Sequence, residues 1–421
     1  MFVVGELLPD DHRVMENKMI AIGIDTHLKM HEIEAQDNNG KVLWRGKIGN
    51  ERKGFEMIRE KIETLVESQK QEIVGIYMNP TGNYHVPLKY FLSTLGFNVI
   101  LVNPIISKSI RNVSGFGKGK TDSVDAHSLA STPWFKADMG KGHERSGISE
   151  LTRMRERLLK EMKRQINYLR SDLACVFPEY LHFLNNIDSS TSMKLLETFP
   201  VPSLIVNAGN EKIHDLVKKE SKGHFGNEFV SELMRISAES VGIPDKDGIF
   251  ALKIKMEIVR IRGIKRDINT VESHIRKRVA DDEDVKRLDD IPGIDTVQAA
   301  TIMAEIGNID QFESAMKLQS YGGVTPSDYG SADSYISRHS SVSNHYLATA
   351  VSRSAVTLVL HNTREFKDVY DREMDKQKRV TQAYITVAKR LLYHIYSMAK
   401  NRKPYRERLP EKYGEYHGQQ T

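Results

Sequence analysis

Three aspartates, one asparagine and one serine carry the chemistry that this sequence suggests. Asp25 closes the apolar run MIAIGID, at the end of the first strand, where its side chain would project at the sheet's edge; a turn or capping role is the alternative. Asp122 and Asp125, in KGKTDSVDAHSLA, are three apart at what reads as a helix start, which puts both carboxylates on one face. Taken alone, Asp122 is explained better as an N-cap. Taken with Asp25, the pair has another reading. Hard oxygen ligands from separate elements are what Mg²⁺ requires, and two ions held ~3.5 to 4 Å apart polarise a phosphodiester and stabilise its leaving oxygen.

YMNPTGNYH places Asn79, Pro80, Thr81 and Gly82 at the carboxyl end of a later strand, where open α/β sheets bind ligands. The run IGIDTH also fits an actin-like sugar kinase, although no further glycine-rich phosphate loop follows it. Ser331 lies in the glycine-flanked stretch YGGVTPSDYGSADS. A loop serine becomes a nucleophile only when a base or metal activates it, and no His–Asp pattern of hydrolase type accompanies this one. DDIPGIDTVQAATIMAEIG reads as a turn at Gly293 followed by a helix. Such a hairpin offers backbone N–H groups to a phosphate, or it is an ordinary helix–turn–helix packing unit.

The elements that must hold these residues follow from periodicity. Residues 19–35 predict a strand, a turn at Asp25-Thr26-His27 and a second, alternating strand, with a third at 42–48. A helix over 52–68 repeats Phe55, Ile58, Ile62 and Leu65 at helical spacing, and a strand at 72–78, a helix at 86–95 and a strand at 98–104 follow. This is a mixed α/β domain over about 19–140. Leu151, Met154, Leu158, Met162, Ile166, Leu169 and Leu173 mark a long amphipathic helix, and Leu252, Met256, Val259, Ile268, Val271 and Ile275 mark another over about 250–280. The two read either as an antiparallel coiled coil with 178–248 as helical insert, spanning 149–285, or as two ordinary bundle helices. A mainly helical unit over 286–405 is broken by a loop from Tyr321 to Asn344 and ends in a helix at 380–399. Disorder is expected beyond Lys403, with a tail over 406–421.

With 421 residues, 39% hydrophobic and 28% charged, the chain has the composition of a soluble, multidomain globular protein. No apolar run reaches the ~18 residues that span a bilayer, so no membrane partner is expected. The N-terminus shows no export signal. A single cysteine, Cys175, excludes an intramolecular disulfide and a multi-cysteine zinc site, which fits a cytoplasmic protein. The net charge of +5 is small but uneven. Residues 151–170 hold seven bases against two acids, 251–280 nine against three, and 376–406 nine against none. Each segment alone could be a solvated helix face; the three together favour a polyanion partner.

In this order the pieces resemble one family, the transposases and recombinases with a DEDD acidic tetrad, which includes the pilin gene invertase and the transposases of bridge-RNA-guided insertion elements. The resemblance runs from about Met19 to Tyr405. Its anchors are GIDTHLKMH, MNPTGNYH, VNPIISKSIRNVSGFGKGKTDSVDAHSLA, IPGIDTVQAATIMAEIGNIDQF and YGGVTPSDYGSADS. It implies an N-terminal RuvC-like (RNase H-like) domain, a coiled coil and a C-terminal domain with a catalytic serine. Matched motif to motif, the family's first Asp falls on Asp25, its last two on Asp122 and Asp125, and its serine on Ser331. The resemblance further implies Mg²⁺ or Mn²⁺ on Asp25, Asp122 and Asp125, and a Ser331 that attacks a DNA phosphate to form a covalent link before strand exchange. The implied partners are donor and target DNA, a structured guide RNA that takes over sequence choice, and further copies in a homodimer or homotetramer. Lys118, Lys120, Arg153, Arg157 and Gly293 are the expected nucleic-acid backbone contacts, and the expected setting is the nucleoid of a prokaryotic cytosol.

The chain departs from the pattern. The tetrad's Glu position holds Asn79, which offers a metal a neutral carbonyl but neither charge nor base. Ala332 stands where a glycine often follows the serine, Ser341-Val342-Ser343-Asn344 replaces a basic Lys-x-Gly-Asn, and Ala348 replaces an arginine. The sequence therefore describes either an active divergent branch or a cleavage-deficient nucleic-acid-binding descendant. Retention of Asp25, Asp122, Asp125 and Ser331 favours the active branch. A RuvC-like nuclease would cut without Ser331, and an actin-like phosphotransferase would prefer ATP to nucleic acid.

Overall fold

The computed structural model describes residues 19–69, 72–80, 82–102, 110, 122–134, 147–325, 327–329, 336–338 and 343–406. They fall into two compact units divided between Glu144 and Arg145.

The first unit is built on a five-stranded sheet. Its strands are β1 (Met19–Asp25), β2 (Met30–Asp37), β3 (Val42–Gly49), β4 (Glu72–Met78) and β5 (Val99–Leu101), in the order β3-β2-β1-β4-β5. The β1–β2 and β2–β3 pairs are antiparallel, and the β1–β4 and β4–β5 pairs are parallel. Helices α1 (Arg52–Gln69) and α2 (His85–Thr94) connect them. Alternation along β1 sends Ile20, Ile22 and Ile24 to one face, where they pack with Phe55, Ile58, Ile62, Leu88 and Leu92. Each such isoleucine contributes about 1.5–3 kcal/mol by leaving water. Ala21, Gly23 and Asp25 face the other way, toward α3 (Asp122–Ala130).

That second face is thin. Ala21, Tyr77, Val102 and Leu129 form its small apolar layer, and Gly23 lets α3 lie directly on β1. A Cβ at position 23 would sit 2.1 Å from the Ala126 carbonyl oxygen and 2.2 Å from the Ala130 nitrogen. The missing side chain is what brings the start of α3 to the end of β1.

The second unit pairs two 30-residue helices, α4 (Gly147–Val176) and α9 (Ile249–Arg278). They run antiparallel: Arg155, near the start of α4, bonds Glu272 near the end of α9 at 2.7 Å, and Asp172, near the end of α4, pairs with Lys253 near the start of α9. Between them lie α5 (Pro178–Phe183), α6 (Ser190–Thr198), α7 (Pro202–Glu220) and α8 (Asn227–Ala238), whose cluster closes one end of the pair. At the other end Val271, Ile275 and Val279 belong to the core of the C-terminal helices. These are α10 (Glu283–Asp289), α11 (Thr296–Ile306), α12 (Ala315–Tyr321), α13 (His345–Leu360), α14 (Arg364–Asp375) and α15 (Val380–Asn401).

The structure corrects three local expectations. The α9 stripe begins on the wrong residues: Leu252, Met256 and Val259 are 60%, 45% and 60% exposed, and Ile254, Ile258 and Ile261 are buried instead. The first turns of α9 carry apolar residues on two faces, and only contact with α4 and the insert chooses between them. The stretch Tyr321 to Asn344 contains a short ribbon, β6 (Ser327–Tyr329) against β7 (Ile336–Arg338), where only a loop was expected. Order also continues past Lys403, because Tyr405 stacks on Phe366 and its hydroxyl reaches Glu365 at 3.4 Å.

Candidate active site

The sheet places Asp25 at the carboxyl end of its central strand, 5% exposed. In register, Glu32 on β2 faces it across the antiparallel pair, and on the parallel side Ile24 pairs with Met78, so Asn79 follows β4 beside Asp25. Asn79 is buried, and its carbonyl accepts a 3.3 Å hydrogen bond from the Thr26 hydroxyl. Helix α3 begins at Asp122, with Asp122 and Asp125 in its first turn, where the positive end of the helix dipole favours carboxylates.

Asp25 and Asp122 converge on a residue that pattern reading passed over. His27 Nε2 lies 3.1 Å from Asp25 Oδ2 and 3.4 Å from Asp122 Oδ1, and the ligand atoms of the three residues all lie within 4.8 Å of one another. Burial pushes the Asp25 carboxyl up to about 6; His27 opposes the shift, and the charges of Asp125 and Asp122 add to it. A buried carboxylate crowded by two more is poor at holding its own charge and is relieved by a cation. The donor set, carboxylates from a strand end and a helix start, suits a hard divalent ion.

The turn that carries His27 is fixed from beneath. The His27 backbone N–H donates to His31 Nδ1 at 3.2 Å, and His31 is fully buried and stacked on Phe55. Burial lowers the His31 pKa below the usual imidazole range, so the ring stays neutral and keeps that nitrogen as an acceptor.

Helix α3 is also locked to β2 by polar groups. His127 Nδ1–H donates to Glu34 Oε1 at 2.6 Å, and the Gln36 amide donates to the same oxygen at 2.6 Å and to the His127 carbonyl at 3.3 Å. Arg45 Nε donates to Glu34 Oε2 at 2.6 Å, and the Ser131 hydroxyl to Gln36 Oε1 at 3.1 Å. Burial opposes ionisation of Glu34, but the bonds from His127, Gln36 and Arg45 outweigh it and hold its pKa below the usual range. Beside this lock a cleft of about 190 Å³ opens, lined by Glu32, Arg45, Lys47 and Ser123. Alternation of polar residues along MHEIEAQD was the signal available; it reads as an ordinary solvent face until α3 covers it.

The remaining candidates separate. Lys118, Lys120 and Ser331 lie outside the described residues. Arg153 has a structural partner: its guanidinium bonds Glu305 twice at 2.7 Å and sits 4.5 Å over the Tyr346 ring. Glu305, fully buried, also accepts from Asn344 Nδ2 at 2.9 Å, and Asn344 Nδ2 meets the Tyr321 hydroxyl at 2.9 Å. The Asn344 N–H donates to the Tyr321 carbonyl at 2.8 Å. Arg153 and Glu305 therefore tie together the two ends of the segment that includes Ser331. Arg157 is exposed on α4, as are Lys160, Lys163 and Arg164. Gly293 takes φ +95° in the turn before α11, against His361 and Thr357. Asp295 already caps α11 through the Gln298 N–H at 2.7 Å, which sets a negative charge where a phosphate would approach.

Two family models match the chain: one described as transposase, of the DEDD type, over residues 22–178, and one described as transposase of the IS116/IS110/IS902 family over residues 285–371. The first spans the sheet, the acidic cluster and α4; the second spans α10 to α13 and most of α14. The chain belongs to this transposase family. It is 21% identical over 394 residues to an uncharacterized 44.8 kDa protein of insertion element IS116 from Streptomyces clavuligerus, which covers 91% of this chain and 95% of that one. It is 21% identical over 396 residues to the transposase for insertion sequence element IS1111A of Coxiella burnetii, with 91% of each covered. An IS110 protein of Streptomyces coelicolor is 22% identical over 70% of this chain and 74% of its own length. The transposase is thus a DNA transposase or recombinase, which sets aside the actin-like phosphotransferase. Among the described residues no helix is long and apolar enough to cross a membrane.

Proposed function

We propose that the transposase cleaves and rejoins the DNA of an insertion element through Ser331, assisted by a divalent ion on Asp25, Asp122 and Asp125. The convergence of Asp25 and Asp122 from a strand end and a helix start, within reach of a single ion, carries this reading. The sheet order β3-β2-β1-β4-β5, with Asp25 at the end of the central strand, supports a RuvC-like domain. When bound, the ion would neutralise phosphate charge and stabilise the departing oxygen.

The protein's own residues do the rest. Ser331 Oγ forms a bond to phosphorus as the bond to the deoxyribose oxygen breaks, and that oxygen leaves with a proton. A hydroxyl of another strand then reverses the step, releasing serine, so no phosphodiester energy is lost. The Glu34–His127–Gln36 lock holds α3, and with it Asp122 and Asp125, against the sheet. The exposed cations Arg157, Lys160 and Arg164 on α4, with Lys118 and Lys120, are the proposed backbone contacts; Arg153 is committed to Glu305 and drops out of that set. A structured RNA paired with donor and target DNA would supply sequence choice, and a dimer or tetramer would hold both DNA partners.

The test is a protein-linked DNA adduct on a denaturing gel after incubation with flanking RNA, Mg²⁺ and labelled donor and target DNA. An adduct that disappears in Ser331→Ala supports the serine mechanism. Cleavage that survives Ser331→Ala would instead mark a RuvC-like nuclease. Because Asn79 beside Asp25 brings no charge, a cleavage-deficient descendant is the second reading; salt-sensitive binding without cleavage would favour it.

A further inference from the structure

We propose that His27 is itself a ligand of the divalent ion, giving with Asp25 and Asp122 a mixed nitrogen–oxygen site that holds Mn²⁺ in preference to Mg²⁺. This rests on the metal reading above and adds to it a donor that determines which ion is taken.

His27 Nε2 hydrogen-bonds one Asp25 oxygen, and an ion taking up the nitrogen lone pair would replace that bond at nearly the same spacing. Adjacent ligands of an octahedral ion with bonds of about 2.1 Å stand about 3.0 Å apart, and His27 Nε2 is 3.1 Å from one Asp25 oxygen and 3.4 Å from one Asp122 oxygen. The backbone that carries the His27 imidazole is held in place. Its backbone N–H is bound by the buried His31 ring at 3.2 Å, and Asn50, whose amide donates to the Leu28 carbonyl at 3.2 Å, secures the next residue of the turn. At the neighbouring strand end Asn79 offers a neutral amide, so the charge and basicity available to an ion come from the two aspartates, from Asp125 nearby and from the histidine.

The donor type sets the preference. Mg²⁺ is a hard cation that keeps oxygen ligands and water, whereas first-row transition metals gain from an imidazole nitrogen. Replacing one oxygen of such a site with nitrogen therefore costs Mg²⁺ more than it costs Mn²⁺.

The test uses the full-length protein loaded with Mn²⁺ without nucleic acid. Pulsed electron paramagnetic resonance reports a nitrogen bound directly to Mn²⁺, and calorimetry with Mn²⁺ and Mg²⁺ reports affinity. The expected result is a ¹⁴N coupling in wild type that is lost in His27→Asn, with Mn²⁺ affinity falling about tenfold or more and Mg²⁺ affinity changing less than about threefold. Circular dichroism confirms that the variant is folded. A bound Mn²⁺ that Asp122→Asn releases but that shows no nitrogen coupling overturns the His27 proposal and leaves the carboxylate site standing. A coupling that survives His27→Asn also overturns it. Failure to find any Mn²⁺ that Asp25→Asn or Asp122→Asn releases overturns both the proposal and the metal reading.

Discussion

Asp25 shows what the site costs the fold. Its carboxyl rises from 3.8 to about 6, chiefly through burial, so it binds a proton more tightly folded than unfolded. Between those two values the folded chain holds more protons than the unfolded one, and stability falls as pH rises. The penalty is complete above about pH 6 and absent below about pH 4. Metal-free Asp25→Asn is therefore expected to be more stable than wild type at neutral pH, by about 1–3 kcal/mol after allowance for solvent screening, and to melt correspondingly higher, with no advantage in acid. Thermal denaturation in the presence of a chelator at the two pH values measures this. An equal difference at both would mean that the charge of Asp25 is not the source. Stability given up at a functional position is a common trade.

At the scale of elements, the close approach of α3 to β1 decides whether a site exists. Gly23 meets the α3 backbone with no room for a Cβ, and the Glu34 lock holds the same helix from β2. Gly23→Val is expected to push α3 away, costing about 1–3 kcal/mol or more and separating Asp122 from Asp25. Its signature is loss of metal affinity together with a lower melting temperature. Retained wild-type Mn²⁺ affinity in Gly23→Val would show that α3 is not positioned through this contact. In the second unit the Arg153–Glu305–Asn344–Tyr321 cluster does the corresponding work for the ends of the segment that includes Ser331. Removing one partner of such a buried pair typically costs about 3–5 kcal/mol, so Arg153 is committed to holding the fold.

For the molecule as a whole, the basic excess points to a partner only through those cations that the fold leaves exposed. Of the bases in the three rich segments, Lys253, Arg260, Arg262, Lys265 and Arg276 are spent on ion pairs. Arg157, Lys160, Lys163 and Arg164 are exposed along α4, as are Lys255, Arg266, Lys277 and Arg278 on α9 and Lys376, Lys378 and Arg379 further on. Replacing Arg157, Lys160 and Arg164 together with alanine is expected to weaken nucleic-acid binding and to flatten the dependence of log K on log salt by about 0.9 for each duplex phosphate that is no longer neutralised. Binding measured by fluorescence anisotropy over a salt series tests it; an unchanged slope would move the interface off this helix.

Much of the transposase was legible in its sequence. Strand alternation, the helical spacing of apolar residues and the order of the motifs identified the sheet and the long helices and singled out Asp25, Asp122 and Asp125 as candidates, because each is a local pattern or a short run of fixed chemistry. His27, Glu34, Gln36 and His127 were not legible, since a histidine in a turn and polar residues alternating along a strand look the same whether water or a helix covers them. The exposed row Leu252, Met256 and Val259 misled for the same reason: periodicity shows that a helix has apolar faces, and only its neighbours decide which face is buried. Residue types and spacing thus determined which groups were available for chemistry, whereas the packing of α3 on Gly23 decided which of them meet. That contact joins residues about a hundred positions apart, and no local pattern records it.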